Sequence, residues 1–294
     1  MFKKLFLYLF FLFGINLPVT ADEKPPIYWL IWELHPEYIL DGQYKGQGYA
    51  DKFLQFFQAN LPEYEHKIKP VNVRRWNIES QKANHCTPHV WGDFFPDTTV
   101  LSKPYTFTAP HVLIFDKRFE ERFGPAGSIL SLEALLQDDE LKLMTLPVYV
   151  GTNQTHARYP VLHKYLQPYI GKRNLFEFTG SNNEINLKLL TRGTGDYAIG
   201  YPNSINAYKR IQGSEAEFIS YRIKEHNFYK NIYASCRDTQ FGNEVIDKIN
   251  AVLTPETLRT FLMYQEEWNG QDPQFRYTTI DVLINNKPLE NVLP

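Results

Sequence analysis

His85, Cys86 and His89 lie within five residues of one another, and imidazole and thiolate are ligands that hold zinc and related metals. The spacing matches no strong zinc signature. Cys86 also has a second use open to it, because Cys236 is the only other cysteine. His156 and His163 stand seven apart on one expected helix, with carboxylates available elsewhere for acid–base work. No nucleophile elbow, no H-E-x-x-H and no glycine-rich phosphate loop accompanies them. Gly46-Gln47-Gly48 lacks a third glycine and follows a proline turn rather than a strand. Scattered histidines of this kind are structural or exposed, so these residues predict neither catalysis nor a metal centre.

The amino terminus predicts export. Lys3 and Lys4 precede an apolar run over 5–13, and Val19-Thr20-Ala21 follows with small residues at a cleavage site. The run is shorter than the roughly 20 residues a spanning helix needs, so residues 1–21 read as a cleaved signal peptide. No cysteine follows the run to carry a lipid, and no second apolar stretch suits a membrane. The mature chain is expected in the periplasm. In that oxidising compartment Cys86 and Cys236 are expected to bond, the alternative being two reduced, buried thiols. A net charge of −2 and the absence of a Lys/Arg run argue against nucleic acid and anionic lipid. Aromatic residues make up 15% of the chain, more than a core alone calls for, so some are expected on a binding surface.

Apolar periodicity supplies the elements that must carry these residues. Strands are expected at 27–32, 66–73, 111–115, 146–150, 174–178, 197–199, 217–221, 232–236 and 277–284. Helices are expected at 51–60, 75–83, 131–137, from 151 toward 169, 181–192, 242–253 and 255–268, with another starting at Tyr201-Pro202. Strands alternating with helices predict an α/β architecture with mostly parallel sheets. The segment 189–201, LLTRGTGDYAIGY, is the most telling. Its leucines face one side of a helix, Gly193 and Gly195 end it, and a short buried strand follows. Ligands collect beyond the carboxyl ends of such strands.

In order along the chain stand GQYKGQGYADKF, LPEY, LSKPYTFTAPHVLIF, GTNQT, LLTRGTGDYAIGY and CRDTQFGNEVIDKINAVL. This succession resembles the periplasmic solute-binding proteins of family 3, the polar-amino-acid-binding type of ABC importers. The resemblance covers nearly the whole mature chain and rests on the conjunction, since no single motif is very specific. It implies the two-lobed periplasmic-binding-protein fold of type II, each lobe a mixed, mostly parallel sheet flanked by helices. Lobe 1 would be 22–114 plus 222–294, lobe 2 would be 115–221, and crossover strands would lie at 111–118 and 218–223. Both cysteines would then fall in lobe 1 and tie its two halves together. The resemblance also implies a monomer without cofactor that closes on a small-molecule ligand. The closed form would be read by an ABC permease or, alternatively, by an inner-membrane sensor.

Two departures bear on the ligand. The family usually places an arginine about seven residues before a Ser-x-Pro-Tyr segment, to grip an α-carboxylate. Here the segment is Ser102-Lys103-Pro104-Tyr105, the matching position is near Phe95, and no arginine lies between Arg75 and Arg118. The family usually places a carboxylate just past the lobe 2 strand, to hold the α-ammonium; here that position is Tyr201. The expected ligand is therefore not a standard free α-amino acid. Trp32, Trp76, Trp91, Tyr105 and Tyr201 are the aromatic candidates, suited to rings, sugars, peptides or organic cations. Glu33 is the expected counter-charge, and Arg75 and His89 join the set. Thr152 and Asn153 open one lobe 2 helix and Asn182 opens another, offering hydrogen bonds. The competing readings are core packing for each aromatic, a solvated turn for Arg75 and a turn cap for Glu33.

Overall fold

The computed structural model describes residues 24–92, 97–150, 156–178, 187–270 and 272–287. The signal peptide, Phe95, Thr152, Asn153 and Asn182 lie outside them. Two sheets organise the chain. The first uses β1 (Ile27–Ile31), β2 (His66–Pro70), β3 (His85–Trp91), β4 (Thr99–Leu101), β5 (Thr106–Thr108) and, from far along the chain, β14 (Lys230–Arg237). Its order is β2-β1-β3-β14-β4, with β5 also on β14. The second uses β6 (Val112–Asp116), β7 (Ile129–Leu130), β8 (Leu143–Thr145), β11 (Leu175–Glu177), β12 (Tyr197–Gly200) and β13 (Phe218–Ile223). Its order is β11-β8-β12-β6-β13-β7. A small ribbon joins β9 (Tyr149–Val150) to β10 (His156–Ala157). Both large sheets are mixed: β1 lies parallel to β2 and β3, whereas β14 runs antiparallel to β3.

The two sheets have separate cores. Trp29, Phe53, Phe57 and Phe261 centre the first, where helices Tyr49–Asn60 and Pro255–Asn269 cover the sheet. Phe115, Tyr197 and Tyr221 centre the second. The chain passes between them twice, at 109–111 and at 224–229. Strands β6 and β13 pair antiparallel at this junction, and both belong to the second sheet. The expected lobe limits at 114/115 and 221/222 cut through these two strands.

Strand β3 has no counterpart among the sequence expectations, because Pro88 argues against a central strand. The register of β14 shifts opposite it, between Tyr233 and Ser235, and that bulge accommodates the missing donor. Cys86 stands directly across from Cys236, and the two are bonded. The thiol of the His85-Cys86-His89 cluster is thereby spent. Among the described residues no group of three metal-binding side chains converges.

Three expected elements differ. The strand expected at 146–150 is broken at Pro147, which has no amide to give a ladder: β8 ends at Thr145, and within the expected range only β9, Tyr149–Val150, is a strand. Over the described residues 156–169 of the long helix expected toward Tyr169 stand β10 and the short helix His163–Leu166, so His156 and His163 share no helix. The tail at 277–284 is helical: Pro273–Thr278 runs into a wider turn over Thr279–Ile284. Asp272 caps it by accepting from the amides of Gln274 and Phe275, and Pro273 occupies its first position. Its apolar residues pack on Phe107 and Leu262, which overrides the strand propensity of the stretch.

Candidate functional site

The carboxyl ends of β1, β3 and β12 converge on one cavity of about 190 Å³ between the two sheets. Trp32 follows β1 and meets Trp76 edge-on, with ring centres 5.8 Å apart. Trp76 sits on helix Val73–Glu79, and its indole donates to the Thr87 hydroxyl at 2.8 Å. Trp91 ends β3 and donates to the Thr108 hydroxyl at 3.1 Å. Tyr201 follows β12, and its ring stacks on His111 at 4.5 Å. Trp32, Trp76, His89, Trp91 and Tyr201 all line the cavity.

Three expected residues do not. Glu33 accepts from the Leu40 amide at 3.2 Å and pairs with His35 at 2.6 Å, so it braces the turn after β1. Arg75 is exposed and donates to Glu79 at 2.8 Å, away from the cavity. Tyr105 is wholly buried in the first core, its hydroxyl on the Pro88 carbonyl and its ring against Phe53, Phe57 and Phe261.

The acid at the cavity is Glu37. The chain reverses at Pro36, an antiparallel bridge joins Leu34 to Tyr38, and Glu37 is turned inward. Its carbonyl accepts from the amides of Ala50 and Asp51, locking the turn to the start of helix Tyr49–Asn60. Gly48 makes that approach feasible, since a Cβ there would stand 2.2 Å from the Glu37 carbonyl oxygen. Glu37 is only 7% exposed. Burial pushes its carboxyl up to about 7, and a hydrogen bond from the Tyr49 hydroxyl opposes this only in part. His89 lies 3.9 Å away, but burial holds its imidazole down to about 3, so it supplies no positive charge at neutral pH.

Just after β10 comes Arg158, whose Nε donates to the Pro147 carbonyl at 3.0 Å and which lines the cavity beside Tyr159. Burial raises the Tyr201 hydroxyl; Glu37 and Tyr159 add to the effect and Arg158 opposes it. Neither Glu37 nor Arg158 was expected from the sequence. His35-Pro36-Glu37 carried a usable signal, because a proline after a strand marks a reversal. Nothing local marks Arg158.

Two further contacts lie near the cavity. His111 and His226 face one another where the chain crosses, with Nδ1 atoms 3.3 Å apart. The His111 amide also donates to His226 Nδ1, so that nitrogen is the acceptor and His111 Nδ1 carries the proton. At the opposite side, helix Ser204–Gln212 docks on helix Pro255–Asn269. Arg210 lies over Trp268 and Tyr44, and Asn203 donates to Asn269 at 2.9 Å.

No family model matches the chain, and no curated protein matches it. Solved structures do match, at low identity. The B. pertussis BvgS periplasmic domain is 12% identical with a TM-score of 0.56, covering 90% of this chain and 47% of that one. This chain therefore spans about half the length of that domain. ArgBP from T. maritima, as its P235GK mutant, is 16% identical with a TM-score of 0.56, covering 84% and 96% of the two chains. A putative L-cystine ABC transporter from Listeria monocytogenes is 15% identical with a TM-score of 0.58, covering 85% and 98%. The fold of this chain is thus the two-lobed fold of periplasmic binding proteins, as the resemblance to family 3 implies. Among the described residues no helix is long and apolar enough to cross a membrane.

Proposed function

We propose that this chain binds a small solute in the interlobe cavity by hinge closure and delivers it, in the periplasm, to an ABC importer. Lobe 1 would be 22–114 plus 222–294 and lobe 2 would be 115–221, with the whole of β6 and β13 going to the second sheet. One observation carries the reading: Trp32 and Glu37 from the first lobe and Tyr201 and Arg158 from the second line the same cavity. A solute touching both sets binds only when the lobes are together, and so shifts the population toward closure.

The ligand is not a standard free α-amino acid. Tyr201 occupies the position where the family has its carboxylate, and its ring is committed to His111. A thermal-shift screen of amino acids, polyamines, sugars, organic acids and short peptides tests the function. A true ligand raises the melting temperature by linkage and contracts the protein in small-angle scattering. Nanomolar binding of any free L-amino acid in calorimetry would overturn the ligand reading.

The likeness to the BvgS periplasmic domain favours a second reading, in which an inner-membrane sensor reads the closed form. Permease and ATPase genes beside this one would favour transport; a histidine kinase or cyclase gene would favour sensing.

A further inference from the structure

We infer that the cavity takes a small zwitterion whose cationic end faces Glu37 of the first lobe and whose acid end faces Arg158 of the second. The inference rests on the solute-binding reading above and names the chemistry of its ligand.

Among the described residues that line the cavity, Glu37 is the one carboxylate and Arg158 the one side chain charged at every physiological pH. Glu37 is more than nine-tenths buried, and no lysine or arginine pairs with it among the described residues. Its neighbours are the Tyr49 hydroxyl and a neutral imidazole. A buried carboxylate without a cation is costly, and a ligand ammonium would relieve that cost. Arg158 spends its Nε on a backbone carbonyl, and no carboxylate pairs with it among the described residues. A guanidinium in the cavity wall with donors beyond its Nε suits a carboxylate or a similar acid. The same cavity is lined by the aromatic rings of Trp32, Trp76, Trp91, Tyr159 and Tyr201.

This polarity is the reverse of the one the family resemblance implies. There an arginine in lobe 1 takes the acid and a carboxylate past the lobe 2 strand takes the ammonium. Here lobe 1 brings the acid and lobe 2 the arginine. A ligand with one charge would leave the other lobe's group without a counter-charge. A ligand with both completes each lobe at once, and so favours closure more than either half alone.

Two matched sets of probes test this by calorimetry and scattering: para-aminomethylbenzoate with benzylamine and benzoate, and δ-aminovalerate with pentylamine and valerate. The expected result is that at least one zwitterion contracts the protein and binds about ten-fold or more tighter than either single-charge counterpart, as one lost charge-assisted contact implies. In Glu37→Gln that zwitterion and its acid-only counterpart then bind alike. In Arg158→Gln the zwitterion and its amine-only counterpart bind alike. The opposite pairing overturns the orientation. Equal binding of single-charge and zwitterionic probes overturns the inference. So does silence from both zwitterions while a neutral or singly charged compound from the wider screen contracts the protein; solute binding would survive that result. If no compound of any class contracts it, the solute-binding reading itself falls.

Discussion

The Arg210 guanidinium lies 4.0 Å from the centre of the Trp268 ring. The two residues sit on helices Ser204–Gln212 and Pro255–Asn269, which the lobe limits proposed above assign to different lobes, so on the proposed hinge the contact would break as the lobes part. Trp268 is held from behind, its indole donating to the Gln47 carbonyl at 2.9 Å, and Arg210 also donates to the Glu267 carbonyl at 3.2 Å. On that proposal it would act as a latch beside the cavity, since neither Arg210 nor Trp268 is among the residues that line it.

Arg210→Ala removes the latch without touching the ligand site. An exposed cation–π contact is worth about 1 kcal/mol, so the open population should rise about five-fold. Small-angle scattering of the unliganded protein should show a larger radius of gyration. An unchanged radius would mean that the helix contact is incidental to closure.

Glu37 makes stability depend on pH in an unusual direction. Its folded value of about 7 exceeds the ordinary 4.5, so between these pH values the folded state holds more protons than the unfolded one. Stability from this group is therefore lost as pH rises from 4.5 to 7. Glu37→Gln removes that loss and should stabilise the protein above pH 7, by at most about 3 kcal/mol, relative to wild type compared below pH 4.5. Urea unfolding at both ends of the window checks it. A variant less stable at high pH than at low, relative to wild type, would contradict the burial of this carboxyl.

His226 acts in the opposite sense. Burial, with Lys230 adding to it, holds the imidazole down to about 4 from an ordinary 6.5, so the unfolded state binds the extra proton. Stability rises with pH across that window. In His226→Asn the amide oxygen still accepts from His111 and position 226 no longer titrates, which leaves His111, also held low by burial, as the one imidazole of the pair. The variant's unfolding free energy should be flatter between pH 4 and 6.5 than that of wild type. An unchanged acid limb would place the titration elsewhere.

Gly48→Ala should be among the most damaging single-atom additions near the site. Its backbone conformation suits any residue, so the penalty comes from space alone: the new Cβ would stand 2.2 Å from the Glu37 carbonyl oxygen. Backbone must move, at a cost of about 1–3 kcal/mol. The melting temperature should fall and ligand affinity with it, because the same turn aims Glu37.

The bond between Cys86 and Cys236 closes a separation of 150 residues and ties β3 to β14. Replacing both cysteines by serine should cost about 2–5 kcal/mol in denaturant unfolding. Added reductant should then have no further effect on the double variant, whereas wild type should lose stability under it.

The order of strands and helices was legible because alternation and helical spacing are local. Ile27–Ile31, Tyr49–Asn60, Tyr197–Gly200 and Pro255–Asn269 all follow from patterns within a dozen or so residues. Part of the aromatic lining was legible too: Trp32 and Tyr201 could be named as cavity candidates because each stands at or just past the end of an expected strand, whereas the strand that carries Trp91 was not read from the sequence. The charges were not. Glu33 and Glu37 look equivalent in sequence, and only the reversal at Pro36, with its carbonyl bonds to helix Tyr49–Asn60, sends one to brace the turn and the other into the cavity. Arg158 reaches the cavity through the β9–β10 ribbon. The tail became a helix because Phe107 and Leu262 offered a surface for it. Periodicity is written in neighbouring residues, whereas the partner of a buried charge or an apolar face comes from elsewhere in the chain. Tertiary structure alone decided those partners.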